Sequence, residues 1–498
     1  MSRWIKIGIG LLVVAMAVSA VVIATHWPFT RGKVIQSLEQ SFASTVEFQS
    51  FRVTYFRPGF VAEGVTFRRN ADVNTPPIAT VAKLVVQGSY SGFFMFPKRI
   101  PRVKVEGLHV FVSPQSERSE GQPTNSAEES KVNVAEIDAD HAVLEFSSGD
   151  QPLRFEISKL TLNAVGEDHP MAFHVTLKNP EPPGEIRADG QFGPLRHDDT
   201  GQTAASGSYV FDRADLSVFP GIAGRLSSTG RFGGVLEQLE VAGETEVPDF
   251  EVTSAGHAVH LKAQFQAIVN GMNGDVALKS VSVQFGKTSV VAQGEVSSKA
   301  AADGKTVSLV GAQQQGTIQD WLQLLSKGHH PAMNGAMAFR AKVQVPPGKQ
   351  SFLKRLNLQG DFTIGSADFV KPATQQAVNN LSQVALGQKQ NDNPASVDES
   401  MKGHVVMTKA MATLTDLYFG VPGALAHMHG TYEVLTGKID LHGNLRVDNK
   451  LSKGETGMKS ALLKVAEPFL KKKKQGEIVP IKIDGTFSHP SYGLDIIK

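Results

Sequence analysis

The chain has 498 residues and a formal net charge of +2. A phosphate-binding surface shows itself as a basic excess, so this near balance argues against nucleic acid as a partner. There is no cysteine, which removes disulfides, thiolate nucleophiles and cysteine metal sites, and leaves burial and backbone pairing to hold the fold.

Residues 7–24 carry no charge, and Ser19 is their only polar side chain. The run is just long enough to cross a bilayer core as a helix. Arg3 and Lys6 precede it, and Trp27 follows at interface height. The expectation is an uncleaved N-terminal transmembrane anchor over residues 1–28, with the bulk of the chain outside the cytoplasm. A cleaved signal peptide has the same parts, with a small residue at Ala20. The apolar run continues through Val21, Val22 and Ile23, beyond that cleavage point, and this favours the anchor. Arg3 and Lys6 favour an inside N-terminus, while Arg31 and Lys33 weaken that vote.

Residues 31–43 follow, with Val34, Ile35, Leu38 and Phe42 at helical spacing. Strand-like runs come next at 46–53, 61–68 and 103–112. Phe93, Phe94 and Phe96 precede Pro97 and read first as core, second as a membrane-touching edge. Residues 114–131 are rich in Ser, Glu, Gln and Pro and read as a polar linker or loop.

From residue 132 onward the main signal is period two. The runs 337–345, 356–364, 261–269 and 439–448 each put one apolar and one wet face on a strand. Turn pairs recur between such runs, as at Asn270-Gly271, Asn273-Gly274 and Asp303-Gly304. This pattern predicts antiparallel meanders, not strand–helix–strand units. Helical spacing is confined to residues 317–327, 372–386 and 457–467. Three short helices cannot cover so many apolar strand faces. Either two sheets cover each other, as in sandwiches, or one curved sheet keeps an open apolar groove.

No catalytic constellation stands out. There is no Gly-x-Ser-x-Gly elbow and no phosphate-binding Gly-Lys-Ser loop. His197-Asp198-Asp199 and His329-His330-Pro331 read as turn and loop. His427 and His429 share one strand face but have no third ligand at a motif spacing. No enzyme activity, cofactor or metal is expected. Met458, Leu462, Val465 and Phe469 form an apolar stripe followed by Lys471, Lys472, Lys473 and Lys474. Such a stripe beside a basic run suits contact with an anionic membrane surface; a solvated hairpin tip is the competing reading.

Two stretches resemble the AsmA-like family of bacterial envelope proteins, which includes TamB and YhdP. The first runs from "RGKVIQSLEQSF" through "TVEFQSFRVTYFRPGFVAEGVTFRR" and "PPIATVAKLVVQGSYSGFF" to "RIPRVKVEGLHVFV". The second is "ESMKGHVVMTKAMATLTDLYFGVPGALAHMHGTYEVLTGKIDLHGNLRV", followed by "GMKSALLKVAEPFLKKKKQGEIVPIKIDGTFSHPSYGLDI". The resemblance implies an elongated, curved, mostly β structure with a phospholipid-carrying groove. It also implies an inner-membrane anchor and a periplasmic bulk that supports outer-membrane assembly.

The expected fold is therefore a mostly β chain. One transmembrane helix is followed by an elongated, curved antiparallel sheet with a few short amphipathic helices. The expected divisions are residues 1–28 for the anchor, 29–113 for an N-terminal α+β module and 114–131 for the linker. A β-rich groove follows over 132–350, and a C-terminal β region with short helices over 351–498. About 25 strands at about 4.8 Å would give a groove roughly 120 Å long. Phe339, Val343, Leu358, Phe362, Leu441 and Leu445 are expected to line it, with membrane lipid as the partner. The alternative is an envelope scaffold that grips another protein by strand edges, without lipid.

Overall fold

The computed structural model describes residues 30–42, 44–54, 57–68, 77–89, 98–112, 132–146, 153–165, 169–194, 196, 199–297, 304–326, 333–369, 401–421, 424–447, 478–486 and 489–495. The expected anchor, the 114–131 linker, the Phe93–Phe94–Phe96 cluster and the helices expected over 372–386 and 457–467 lie outside these residues. Among the described residues no helix is long and apolar enough to cross a membrane.

The sheet opens with β1 (Thr45–Thr54), β2 (Gly59–Arg68), β3 (Ala79–Gln87) and β4 (Lys98–Val112). Next come β5 (Val132–Phe146), β6 (Leu153–Val165), β7 (Met171–Pro180), β8 (Pro183–Phe192) and β9 (Ala204–Asp215). They are followed by β10 (Ile222–Ala223), β11 (Arg225–Val235), β12 (Gln238–Val252), β13 (Ala258–Val269) and β14 (Val276–Phe285). After these come β15 (Thr288–Ser297), β16 (Thr306–Gln315), β17 (Met333–Val345) and β18 (Asn357–Phe369). The described strands end with β19 (Met401–Thr408), β20 (Met411–Val421), β21 (Ala424–Glu433), β22 (Lys438–Val447), β23 (Ile478–Thr486) and β24 (His489–Leu494).

Successive strands pair side by side from β1 to β24 in one curved, unclosed sheet. Two-residue β10 is the exception: it pairs with β12, while β11 joins β9 to β12. Pairing is antiparallel except between β4 and β5, which run parallel with Val105 opposite Ala139. This corrects the all-antiparallel expectation at one junction. Residues 113–131 separate those two strands, and a connection of that length can return the chain to its starting edge. The sheet is also continuous between β17 and β18, on either side of residue 350.

The strands form because alternation gives each a clean apolar side. In β13, Val259, Leu261, Ala263 and Phe265 are partly buried, while His260, Lys262 and Gln264 are exposed. Asn-Gly chemistry closes the next turn. Asn270 Oδ1 accepts from the Met272 and Asn273 amides at 2.8 and 3.1 Å, an Asx turn of the kind the sequence predicts. Lys305 Nζ donates to Asn273 O at 3.2 Å and pairs with Asp275 at 3.4 Å.

Three α-helices are described. Arg31–Phe42 buries Val34 and Leu38 at 2% and 0% exposure. It is tied to β1 by Arg31 Nη2 donating to Phe48 O at 3.0 Å. Ile318–Leu325 matches the helix expected over 317–327, with Thr317 as its N-cap. Phe352–Arg355 is a single turn between β17 and β18. Its Phe352 amide donates to Pro220 O at 2.7 Å. Those two connections sit near β17 and β11, six spacings or about 29 Å apart along a flat sheet. Curvature brings them together.

Burial changes along the sheet. Phe60, Ile137 and Ala139 are fully buried, whereas inner residues of β13 to β15 such as Phe265, Leu278 and Ala292 are half-buried. A buried leucine-sized side chain costs about 2–5 kcal/mol when cut to alanine, and a half-exposed one less. Ile137→Ala is expected to destabilise by about 3 kcal/mol and Leu278→Ala by about 1 kcal/mol. Hydrogen exchange in β5–β7 and in β13–β15 measures the two effects.

Candidate functional site

The candidate site is the face opposite the charged ladders. One register line can be followed across it from strand to strand. It starts at Val53, Phe60, Val86, Val103, Ile137, Leu162 and Phe173. It continues through Gly190, Gly207, Phe232, Val241, Ala267, Leu278, Gly294 and Leu309. It ends at Val343, Leu358, Met407, Ala412, Tyr432, Ile439 and Gly485. A second line runs beside it from Phe51 through Leu84, Ala139, Ala188, Phe265, Ala341 and Leu414 to Ile483. Neither line meets a charged side chain, in a chain where 20% of residues are charged. Their polar atoms are the hydroxyls of Tyr209 and Tyr432. At ~4.8 Å per strand the lines extend about 100 Å.

Glycine and aromatic residues pair across strands on this face. Phe173 faces Gly190, Phe232 faces Gly207, Phe265 faces Gly243 and Phe362 faces Gly403. A Cβ on Gly207 would stand 3.0 Å from Phe232 Cζ, and one on Gly243 3.0 Å from Phe265 Cζ. The rings therefore lie over bare backbone. The face stays smooth, and the glycines keep no side chain to crowd a curved sheet.

Helix Ile318–Leu325 sits on this face. Trp321 packs edge-on against Phe285 at 5.0 Å and Phe339 at 5.3 Å, and its Nε1 donates to buried Gln313 Oε1 at 2.7 Å. Asp320 Oδ2 accepts from Thr288 Oγ1 at 2.7 Å and from the Lys287 amide at 2.9 Å. Leu324 and Leu353, one from each short helix, join Val252, Phe285, Met407 and Ala412 in one buried cluster. Together the two helices fill part of the curl. The sequence suggested the first helix but gave no sign that it turns inward, because its partners are distant strands.

All six expected lining residues face inward. Phe339 opposes Phe362, and Val343 opposes Leu358. Leu441 and Leu445 are 8% and 7% exposed. Phe339 lies against Trp321, and Val343 and Leu358 belong to the helix-filled cluster, so those three are packed by protein. Neighbours Arg340, Gln359 and Asp361 are exposed. Met458, Leu462, Val465, Phe469 and Lys471, Lys472, Lys473 and Lys474 lie outside the described residues. His197, Asp198, His329 and His330 do too.

The outer face is mostly polar, with Val210, Val291, Val310 and Val406 exposed among its charged residues. Arg102 bridges Glu136 at 2.7 Å and Asp138 at 3.0 Å across the parallel junction. His174 pairs with Asp189, His260 with Glu246 at 2.6 Å, and His404 with Asp361 at 2.8 Å. His427 is exposed, stacks on Tyr418 and lies 3.3 Å from Asp416. Exposed pairs of this kind add little stability. Among the described residues no three His, Asp or Glu groups are placed to hold a metal ion.

No family model matches the chain, and no curated protein matches it.

His442 joins β22 to the residue after β24. Its ring nitrogens lie 3.0 Å from Asp495 and 3.0 Å from Asp440. The Asp495 hydrogen bond raises its pKa above the ordinary imidazole value; desolvation opposes it, and the hydrogen bond and charge of Asp440 add to the rise. A raised folded-state value adds stability that is complete below the unfolded value and is lost as pH rises through the folded one. Amides of β24 should therefore lose hydrogen-exchange protection, after correction for intrinsic rates, across that window. His442→Gln should remove the pH dependence.

Proposed function

We propose that this chain is a membrane-anchored envelope protein that holds or carries phospholipid along the inner face of its sheet, in the manner of AsmA-like proteins. The observation that carries the reading is the pair of unbroken apolar lines. An ordinary soluble domain buries such a face against a second sheet or a layer of helices. Here Phe265, Leu278, Val281 and Ala292, inner residues of β13 to β15, are half-buried, while Ala267 and Phe285 beside them are buried. An acyl chain laid along them is stabilised by about 0.8 kcal/mol per CH₂ removed from water. The lines run across the strands, so a chain lying on them meets apolar side chains or glycine at each step.

The anchor expected over residues 1–28 sets the protein in the inner membrane with its bulk in the periplasm. The resemblance of the two quoted stretches supports a role in outer-membrane assembly. The role is binding or transport, not catalysis.

Photo-crosslinkers at Val241, Phe265 and Leu278, compared with Ala242, Gln264 and Lys279, test this in cells. The first set is inner and the second outer. Lipid adducts at the inner set, at least about tenfold above the outer, are expected for a lipid held on one face. Equal labelling of both sets, or capture of protein by the inner set, contradicts the reading and returns the edge-gripping scaffold as the better account.

A further inference from the structure

From β8 to β15 the inner face carries apolar side chains and glycine, apart from Thr288, which is bonded to helix residue Asp320, and one polar cluster. Tyr209 on β9, Ser228 on β11 and Thr245 on β12 place three hydroxyls side by side there. Ser228 Oγ donates to Glu244 O at 3.0 Å and accepts from Thr245 Oγ1 at 3.1 Å. Its proton is thus committed, so Tyr209 is the donor in the remaining contact, Oη to Ser228 Oγ at 3.3 Å. That is long for an O–H···O bond. Ser228 is 7% exposed, and Tyr209 lies above it, half-buried.

The tyrosine ring has a prepared seat. A Cβ on Gly230 would stand 2.7 Å from Tyr209 Cε1, and one on Gly243 2.9 Å from its Oη. Two glycines on adjacent strands therefore let the phenol lie along the floor between the apolar lines. Burial pushes the Tyr209 pKa up, so the group is a neutral donor. No Lys or Arg stands on this part of the inner face.

We propose that Tyr209 is the polar contact point of the groove: its hydroxyl turns from Ser228 to the ester carbonyl of a bound lipid, whose acyl chains lie along the two lines. This rests on the lipid reading above. A neutral carbonyl fits a neutral donor in an apolar wall, whereas a phosphate there would be an unpaired buried charge. The charged headgroup therefore stays at the rim. Ser228 and Thr245 position the phenol.

The test uses the full chain held in an amphipathic polymer without detergent. Two bifunctional diazirine probes are titrated: a sixteen-carbon methyl ester and the matching alkane without the ester. Tyr209→Phe keeps the ring on its glycine seat and removes only the hydroxyl. It should raise the apparent Kd for the ester about fivefold, the worth of one hydrogen bond, and change that for the alkane less than about twofold. Ser228→Ala should reduce the same ester preference. Unchanged ester binding in Tyr209→Phe, or equal loss of both probes, overturns the role of the hydroxyl while leaving the groove. Wild-type protein that binds neither probe saturably overturns the groove itself, and this inference with it.

Discussion

Everything in this molecule depends on keeping strand register over a very long sheet. Side chains alternate, so a one-residue slip at any pairing would turn that strand's apolar side outward. The register lines from Val53 to Gly485 and from Phe51 to Ile483 show no such slip reaching the inner face. Where the period-two phase of the sequence breaks, a bulge restores it. In β14, Leu278 and Val281 are three residues apart and would point to opposite faces of a regular strand. The irregularity between them puts both inward, opposite Gly294 and Ala292. In β20 the same happens between Leu414 and Leu417, where Asp416 takes a positive φ of 49°. Bulges also bend the strand and increase its twist, so the device that saves register contributes to curvature.

Curvature then sets the energetic problem. One side of the sheet is paired and charged, and it is at home in water. The other is apolar but for a few hydroxyls and Gln313, and has to be covered. At the N-terminal end, helix Arg31–Phe42 and close packing cover it, and Leu38, Phe60 and Ile137 are fully buried. Near β12 to β20, Trp321, Leu324 and Leu353 reach into the curl. Beside these side chains, at Phe265, Leu278 and Ala292 on β13 to β15, protein covers the face only in part. A ligand made of acyl chains is the chemical complement of what is left, and Tyr209 marks where its polar part would meet the wall.

Much of the fold was legible in the residues. The alternation of 261–269 or 337–345 dictates strands with one apolar side, and Asn270-Gly271 dictates a turn, because both are local physics. The same alternation puts Phe339, Val343, Leu358, Phe362, Leu441 and Leu445 on the apolar side of their strands, three of them against the inserted helices. What the sequence withheld is non-local. Nothing in 98–112 and 132–146 distinguishes a parallel pair from an antiparallel one, since both strands alternate alike. Trp321 reads as one residue of an amphipathic helix, and its seat between Phe285 and Phe339 depends on strands it does not adjoin. Tyr209, Ser228 and Thr245 lie up to 36 residues apart and become neighbours only through the β9–β11 and β11–β12 registers. Their signal was available only as polar residues at positions where alternation calls for apolar ones.

The central claim is that the inner face is a lipid site. The most direct measurement is mass spectrometry of lipid extracted from the full chain, purified in an amphipathic polymer, beside the variant Val241→Glu. Val241 stands in the middle of one apolar line, and a carboxylate there puts an unpaired charge on the path. Acyl lipid bound at one or more molecules per chain, and reduced severalfold in Val241→Glu with the sheet intact by circular dichroism, is the predicted result. A wild-type chain free of lipid, or equal lipid in the two proteins, would contradict the account.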